Sequence, residues 1–234
     1  MAPIVVASRD EFAAAAAQRI TEVIDAAISS RGGCRLALSG GSTPAPVLAR
    51  LAGRPIEWPR VSIYFADERA VPPDSLESNY AMARRTLLGL VPIPAASVHR
   101  MEAERANLDT AARDYDRVLP AELDLLLLGV GPDGHTASLF PGSPALNESA
   151  RRVVAVDPPL PPIAPRVARL TITPPVIAAA RAVVVLVAGA DKADVAARVL
   201  APSGGDPGLP AHLARNGTWI LDREAAATLQ PREV

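Results

Sequence analysis

Leu125 to Leu128 are four consecutive leucines, and a strand made only of apolar residues must be covered on both faces. Such a strand belongs in a parallel sheet sandwiched by helices, because a sheet with one wet face would alternate apolar and polar residues. The run ends at once in Gly129, Gly131, Pro132, Asp133, Gly134 and His135, which cannot continue a strand. In open parallel sheets ligands sit in the crevice at the carboxyl ends of the strands. An acid and an imidazole at that exit therefore mark a candidate site.

The same grammar runs along the chain. Ile4 to Val6 reads as a short strand, and Ser8 to Glu11 as a capping box before a helix whose stripe is Phe12, Ala16, Ile20, Val23, Ala27 and Ile28. Leu36 to Leu38 is a strand that meets SGGSTP, residues 39–44, where Thr43 should cap the next helix and Pro44 open it. Val61 to Phe65 is a core strand ending in the charged run ADER, followed by helices over 79–88 and 108–119. Val153 to Val156 is a strand before the proline-dense loop 157–165, which cannot be regular structure and could rim a site. RLTIT at 169–173, a helix near 174–180, the strand AVVVLVA, a helix opening at Asp191, the strand 218–221 and a last helix complete the order. Strands alternating with helices predict a doubly wound, mainly parallel α/β sheet with right-handed crossovers. Residues 1–234 form a single domain in this reading, with no internal repeat and no linker.

Composition narrows the partner. Of 234 residues, 49% are hydrophobic and 21% charged, and the net charge of −1 leaves no excess of Lys and Arg to grip nucleic acid or an anionic membrane. Aromatics are 3% of residues, too few to offer stacking platforms for bases. Any anionic partner must be small and locally held. The one cysteine, Cys34, excludes an intrachain disulfide and a multi-cysteine zinc cluster; as a strand residue it is expected to be a buried thiol, and a reducing cytoplasm fits. The first residues lack the basic n-region of a secretory signal, and the run VVVLVAGA is strand-sized, not membrane-spanning.

Several groups could carry chemistry. In SGGSTP the glycines let backbone N–H groups approach an oxyanion, Ser and Thr hydroxyls add donors, and the following helix points its positive end at the same spot. The loop is neither a Walker A sequence nor GxGxxG, and a plain strand-to-helix turn would use the same glycines. Asp67, Glu68 and Arg69 end a core strand, and Lys192 sits at a strand exit where it can meet a phosphate as a point charge; taken alone, each is more often solvated surface. Arg169 opens RLTIT, with Arg166 three residues earlier. Among three histidines, only His135 is set at a strand exit between glycine, acid and threonine; an imidazole with a reference pKa of about 6.5 suits general-base hydrolysis, oriented by a nearby carboxylate. No HExxH or His/Cys cluster is present, and Asp133 with His135 supplies only two ligands, so the site is expected to work without metal. A GxSxG elbow is also lacking, which argues for proton transfer over a serine nucleophile.

Taken in order, SGGSTP, FADERAVP with SNYAMARRTLL, LLLLGVGPDGHTASLFPG, RLTIT and VAGADKA resemble the 6-phosphogluconolactonases of the pentose phosphate pathway over nearly the whole chain. The resemblance implies a Rossmann-like α/β fold and hydrolysis of 6-phospho-D-glucono-1,5-lactone without metal or organic cofactor. By position it makes His135 the general base, Asp133 its orienting acid and Asp67 an acid of the site. It places the phosphate on Gly40, Gly41, Ser42 and Thr43, ringed by Arg69, Arg169 and Lys192. The same superfamily includes the glucosamine-6-phosphate deaminases, whose motif carries a catalytic Glu five residues after the histidine; Phe140 stands there in this chain and cannot transfer a proton. Ala70 stands where many lactonases have Trp, which makes the pocket wall smaller, and Arg166 could share the phosphate with Arg169. A deaminase or isomerase and a non-catalytic sugar-phosphate sensor are the alternatives. A monomer acting on a small-molecule lactone is expected.

Overall fold

The computed structural model describes residues 2–229. The chain opens with strand β1 (Ile4–Val6) and helix α1 (Arg9–Arg31). Ser8 caps α1, its Oγ accepting from Glu11 N at 3.2 Å, while the Glu11 carboxylate accepts from Ala7 N at 2.9 Å, one residue before the reciprocal bond of a standard capping box. The buried stripe of α1 includes Ile24, with Val23 only half buried. Next come β2 (Cys34–Leu38), α2 (Pro44–Ala52), β3 (Val61–Phe65), β4 (Asp67–Arg69) and α3 (Asn79–Ala83), which runs on as a π-helical segment over Arg84–Leu88. Then follow α4 (Leu108–Val118), β5 (Leu125–Gly129), β6 (Val153–Val156), β7 (Arg169–Ile172), α5 (Pro174–Ala179), β8 (Val183–Val187), α6 (Ala193–Leu200) and β9 (Thr218–Asp222). Two local expectations change. Thr43 does not cap α2 through its side chain, because its backbone is already helical (φ −72°, ψ −47°) and a capping hydroxyl needs an extended residue to reach back. Residues 223–228 are turn and not a last helix; residues 230–234 lie outside those described.

Six strands form one wholly parallel sheet in the order β1-β9-β8-β5-β2-β3. From β2 the chain first steps outward to β3, then returns to place β5 on the other side of β2, so the strand order reverses between β2 and β5. That switch point opens a crevice at their carboxyl ends. The leucine strand pairs with β2 on one side and β8 on the other, and Leu125 to Leu128 are completely buried. One continuous apolar cluster joins this strand to α1, α2, α4 and α6.

The other three strands do not join that sheet. β6 and β4 each pair antiparallel with β7, in the order β4-β7-β6. ADER is thus a strand and not a loop: Asp67 faces Thr171, Glu68 faces Leu170 and Arg69 faces Arg169. Ala66 stitches the two sheets together, donating to Leu38 O and accepting from Ile172 N, both at 2.8 Å. This small sheet leans its charged face over the carboxyl end of the large one.

Candidate active site

Both loops that leave the switch point enter one cleft of about 160 Å³. It gathers Gly40, Gly41, Ser42 and Thr43 after β2, His135 after β5, Asp67 and Arg69 from β4, Arg169 from β7 and Lys192 before α6. Asp133 sits behind His135 without lining the cleft, and Arg166 is exposed and outside it. The grooves elsewhere are larger, but in the one of about 690 Å³ between α3 and α4 the arginines Arg100 and Arg105 are paired with Glu102, Glu104 and Asp114.

His135 is fixed by its own loop. Its Nδ1 lies 2.5 Å from Asp133 Oδ1, which also accepts from His135 N at 3.2 Å. Burial would raise the Asp133 carboxyl, but the imidazole hydrogen bond, the imidazole charge and backbone N–H groups outweigh it and hold the acid below its ordinary value. An ionised Asp133 accepts from Nδ1–H, which leaves Nε2 with the basic lone pair. Phe140 packs on the ring at 5.0 Å between centroids, and its other neighbour is the Arg169 guanidinium, 5.3 Å from the Phe140 centroid.

The cations are held at some electrostatic cost. Arg69 and Arg169 stand directly opposite each other on antiparallel strands, where like charges repel. Burial lowers the Arg169 pKa below the usual arginine value, an effect opposed by Asp67 and reinforced by Arg69. Arg169 Nη2 donates to Pro165 O at 3.1 Å and Arg69 Nη1 to Glu77 O at 2.6 Å, yet Nε of each is buried without a hydrogen-bond partner. A buried and a half-buried guanidinium that repel each other, each with an unused Nε donor, are suited to an anion between them. Lys192 pairs with its neighbour Asp191 at the edge of the same cleft.

Asp67 is the best-anchored acid of the site. Its Oδ1 accepts from Asn79 Nδ2 at 2.9 Å and its Oδ2 from Ser138 Oγ at 2.6 Å, with Arg169 Nη1 4.0 Å away. Neither Asn79 nor Ser138 is evident from the sequence as a site residue. Ser138 reaches Asp67 because Ala137 turns the chain with φ 48°, and no letter announces that. Glu68, read as a companion of Asp67, points the other way: it accepts from Arg69 N, Ser78 Oγ, Asn79 N and Tyr80 N, and so anchors the start of α3. Its burial raises its pKa against three backbone hydrogen bonds that lower it. Among the described residues no three His, Cys, Asp or Glu side chains are placed to hold a metal ion, and no helix is long and apolar enough to cross a membrane.

A parallel α/β sheet that gathers cationic side chains and an imidazole–carboxylate pair into one cleft at its switch point defines a Rossmann-like α/β protein. The chain belongs to the glucosamine-6-phosphate isomerase/6-phosphogluconolactonase family, whose profile matches residues 7–221. It is 43% identical over 240 residues to the 6-phosphogluconolactonase of Mycobacterium tuberculosis, covering 94% of this chain and 95% of that one. With the human 6-phosphogluconolactonase it shares 38% identity, covering 96% and 92%. Its fold matches the 6-phosphogluconolactonase structure from Trypanosoma brucei with a TM-score of 0.85 at 32% identity, over 98% and 99% of the two chains. A monomeric glucosamine-6-phosphate deaminase has the same fold, with a TM-score of 0.84 over 97% of this chain and 99% of that one, at 20% identity.

Proposed function

We propose that this protein hydrolyses 6-phospho-D-glucono-1,5-lactone to 6-phosphogluconate in the oxidative pentose phosphate pathway, without metal or organic cofactor. The observation that carries this reading is one cleft in which a carboxylate-oriented imidazole faces Arg69, Arg169 and Lys192. The names of the relatives point to the same substrate. In this mechanism the phosphate rests on the loop 40–43 and the three cations, with the lactone carbonyl near His135. Nε2 of His135 removes a proton from water as its oxygen attacks the carbonyl carbon. Asp133 stabilises the imidazolium that forms. Collapse of the tetrahedral intermediate breaks the ring C–O bond, and the imidazolium returns its proton to the departing ring oxygen. One base suffices because the ester carbonyl is already electrophilic.

Phe140 favours this reading over the amino-sugar deaminase. It packs against both His135 and Arg169, so the position beside the base carries a ring that cannot move a proton between carbons. The protein is further read as a monomer, and its one cysteine, the buried free thiol of Cys34, fits a reducing cytoplasm.

The test is lactone decay near neutral pH, with the lactone generated in situ and compared against its spontaneous hydrolysis. Wild type should accelerate decay, and His135→Ala should lower kcat by roughly 10²- to 10⁴-fold while phosphate binding persists. A folded wild-type protein that leaves the background rate unchanged sinks the reading. Ammonia release from glucosamine 6-phosphate would then identify a deaminase, and binding without turnover a sensor.

A further inference from the structure

Asn79 takes no part in the chemistry above, yet it is 1% exposed and touches both halves of the cleft. Its Nδ2 donates to Asp67 O and to Asp67 Oδ1, both at 2.9 Å. Asp67 fixes the orientation of the amide, since a flipped side chain would set Oδ1 against the carboxylate. The Asn79 Oδ1 therefore turns the opposite way, where it is buried without a hydrogen-bond partner and lies against Gly40. A β-carbon on Gly40 would fall 1.6 Å from that oxygen and 2.1 Å from Asn79 Cγ. Gly40 is thus glycine because the Asn79 amide occupies the place of its side chain. The buried unpaired acceptor is a local cost that a structural filler would not need, since an apolar residue could fill the same space.

We infer that Asn79 is a positioning residue: it wedges the glycine loop at Gly40 and locks it to the Asp67, Ser138 and Arg169 network, so that the loop and the arginine meet one phosphate at a fixed spacing. The chain of contacts runs from Gly40 through the Asn79 amide to Asp67, on to Ser138 Oγ at 2.6 Å and then to Arg169 Nη1 at 3.5 Å. Glu68 holds the other end, accepting Asn79 N at 2.7 Å, so the asparagine cannot drift with its helix. The inference rests on the phosphate-binding role given above to the loop and the arginine.

A double-mutant cycle tests the lock. Gly40→Ala, Asn79→Ala, the double variant and Asn79→Asp are compared with wild type by calorimetric titration of inorganic phosphate and by KM and kcat for the lactone, with circular dichroism and melting curves as fold controls. Asn79→Ala and Gly40→Ala should each weaken phosphate and raise KM roughly tenfold, with kcat less affected, because binding geometry is lost before the base is. The double variant should stay within about threefold of the weaker single variant, since removing the amide makes room for the new methyl; independent effects would multiply to about a hundredfold. Asn79→Asp keeps the volume but loses the donor and sets a carboxylate beside Asp67, so it should be no better than Asn79→Ala. Multiplying effects, or phosphate affinity within twofold of wild type in Asn79→Ala or Asn79→Asp, would overturn the lock. If Gly40→Ala does not fold, the two Asn79 variants still decide. Phosphate titration also separates the ideas: a wild type that binds phosphate without hydrolysing lactone loses the proposed activity and leaves the lock to be judged by the variants, whereas additive variants of an active enzyme remove the lock alone.

Discussion

A β-carbon at Gly131 would lie 2.1 Å from both Cε1 and Nδ1 of His135 and 2.8 Å from Asp133 Oδ1, so the imidazole keeps its place only because residue 131 has no side chain. Gly131→Ala should push the ring off Asp133 and lower kcat/KM by about a hundredfold or more, the scale of a misplacement near 1 Å, while the melting temperature changes by only a few degrees. Kinetics and melting curves on the same preparation check this; an active Gly131→Ala would mean that the dyad tolerates displacement. Cys34 illustrates the opposite kind of residue. Burial pushes its thiol up to about 12, with Asp124 adding to the rise and Arg31 opposing it, so an aromatic disulfide reagent at pH 8 should leave the native protein unlabelled and react only after unfolding. Labelling of native protein at the rate of a free thiol would contradict its place in the core. Residues proposed to act by their own chemistry, such as His135, Asp133 and the cations, are legible in the sequence because the chemistry is written in the letter. Asn79 and Ser138 act through where neighbouring elements put them, and Gly131 through the space it leaves.

At the scale of elements, short motifs matter through their caps and turns. Ser8 caps the 23-residue helix α1, and Ser8→Ala should cost about 1 kcal/mol in a denaturant titration, with an unchanged m-value. Glu148 plays a similar part before β6, accepting from Ala150 N, Arg151 N and Arg151 Nε, and these bonds lower its pKa to about 2 from 4.5. The folded value is depressed, so its contribution is complete above about pH 4.5 and is lost as pH falls towards 2. Glu148→Gln should therefore melt below wild type at pH 7, with the gap closing between pH 4.5 and 2; a gap independent of pH would assign the effect to packing. The same local logic explains which elements are legible. Runs such as Leu125 to Leu128 and Val183 to Val187 are strands by composition alone. Asp67–Arg69 is a three-residue strand with no apolar residue, defined wholly by its pairing with β7, and a charged loop is what its letters suggest. Tertiary pairing decides such cases, and one sequence does not contain the partner.

For the molecule as a whole, alternating strands and helices foretell a doubly wound sheet, but not the order β1-β9-β8-β5-β2-β3 that sets the SGGST and GPDGH loops on either side of one switch point. Nor do they foretell that a second sheet brings Arg69 opposite Arg169 across a pair of strands. That arrangement gives the fold a property of its own. Like charges directly opposed destabilise the free protein, and an anion that neutralises them binds the native state and not the unfolded chain. Inorganic phosphate at about a hundred times its dissociation constant should therefore stabilise by about 2.7 kcal/mol, which for a chain of this size is a rise of roughly 5–10 °C in melting temperature. Sodium chloride at matched ionic strength screens the arginines without bridging their unused Nε donors and should give only a small part of that rise. Lys192→Ala, which removes a cation at the cleft edge, should shift the phosphate dependence to higher concentration; the Lys192 side chain is only 17% exposed, so the shift is read against the variant's own phosphate-free melt. Equal rises with phosphate and chloride would mean that the cleft responds only to screening, and that the opposed arginines are not a phosphate site.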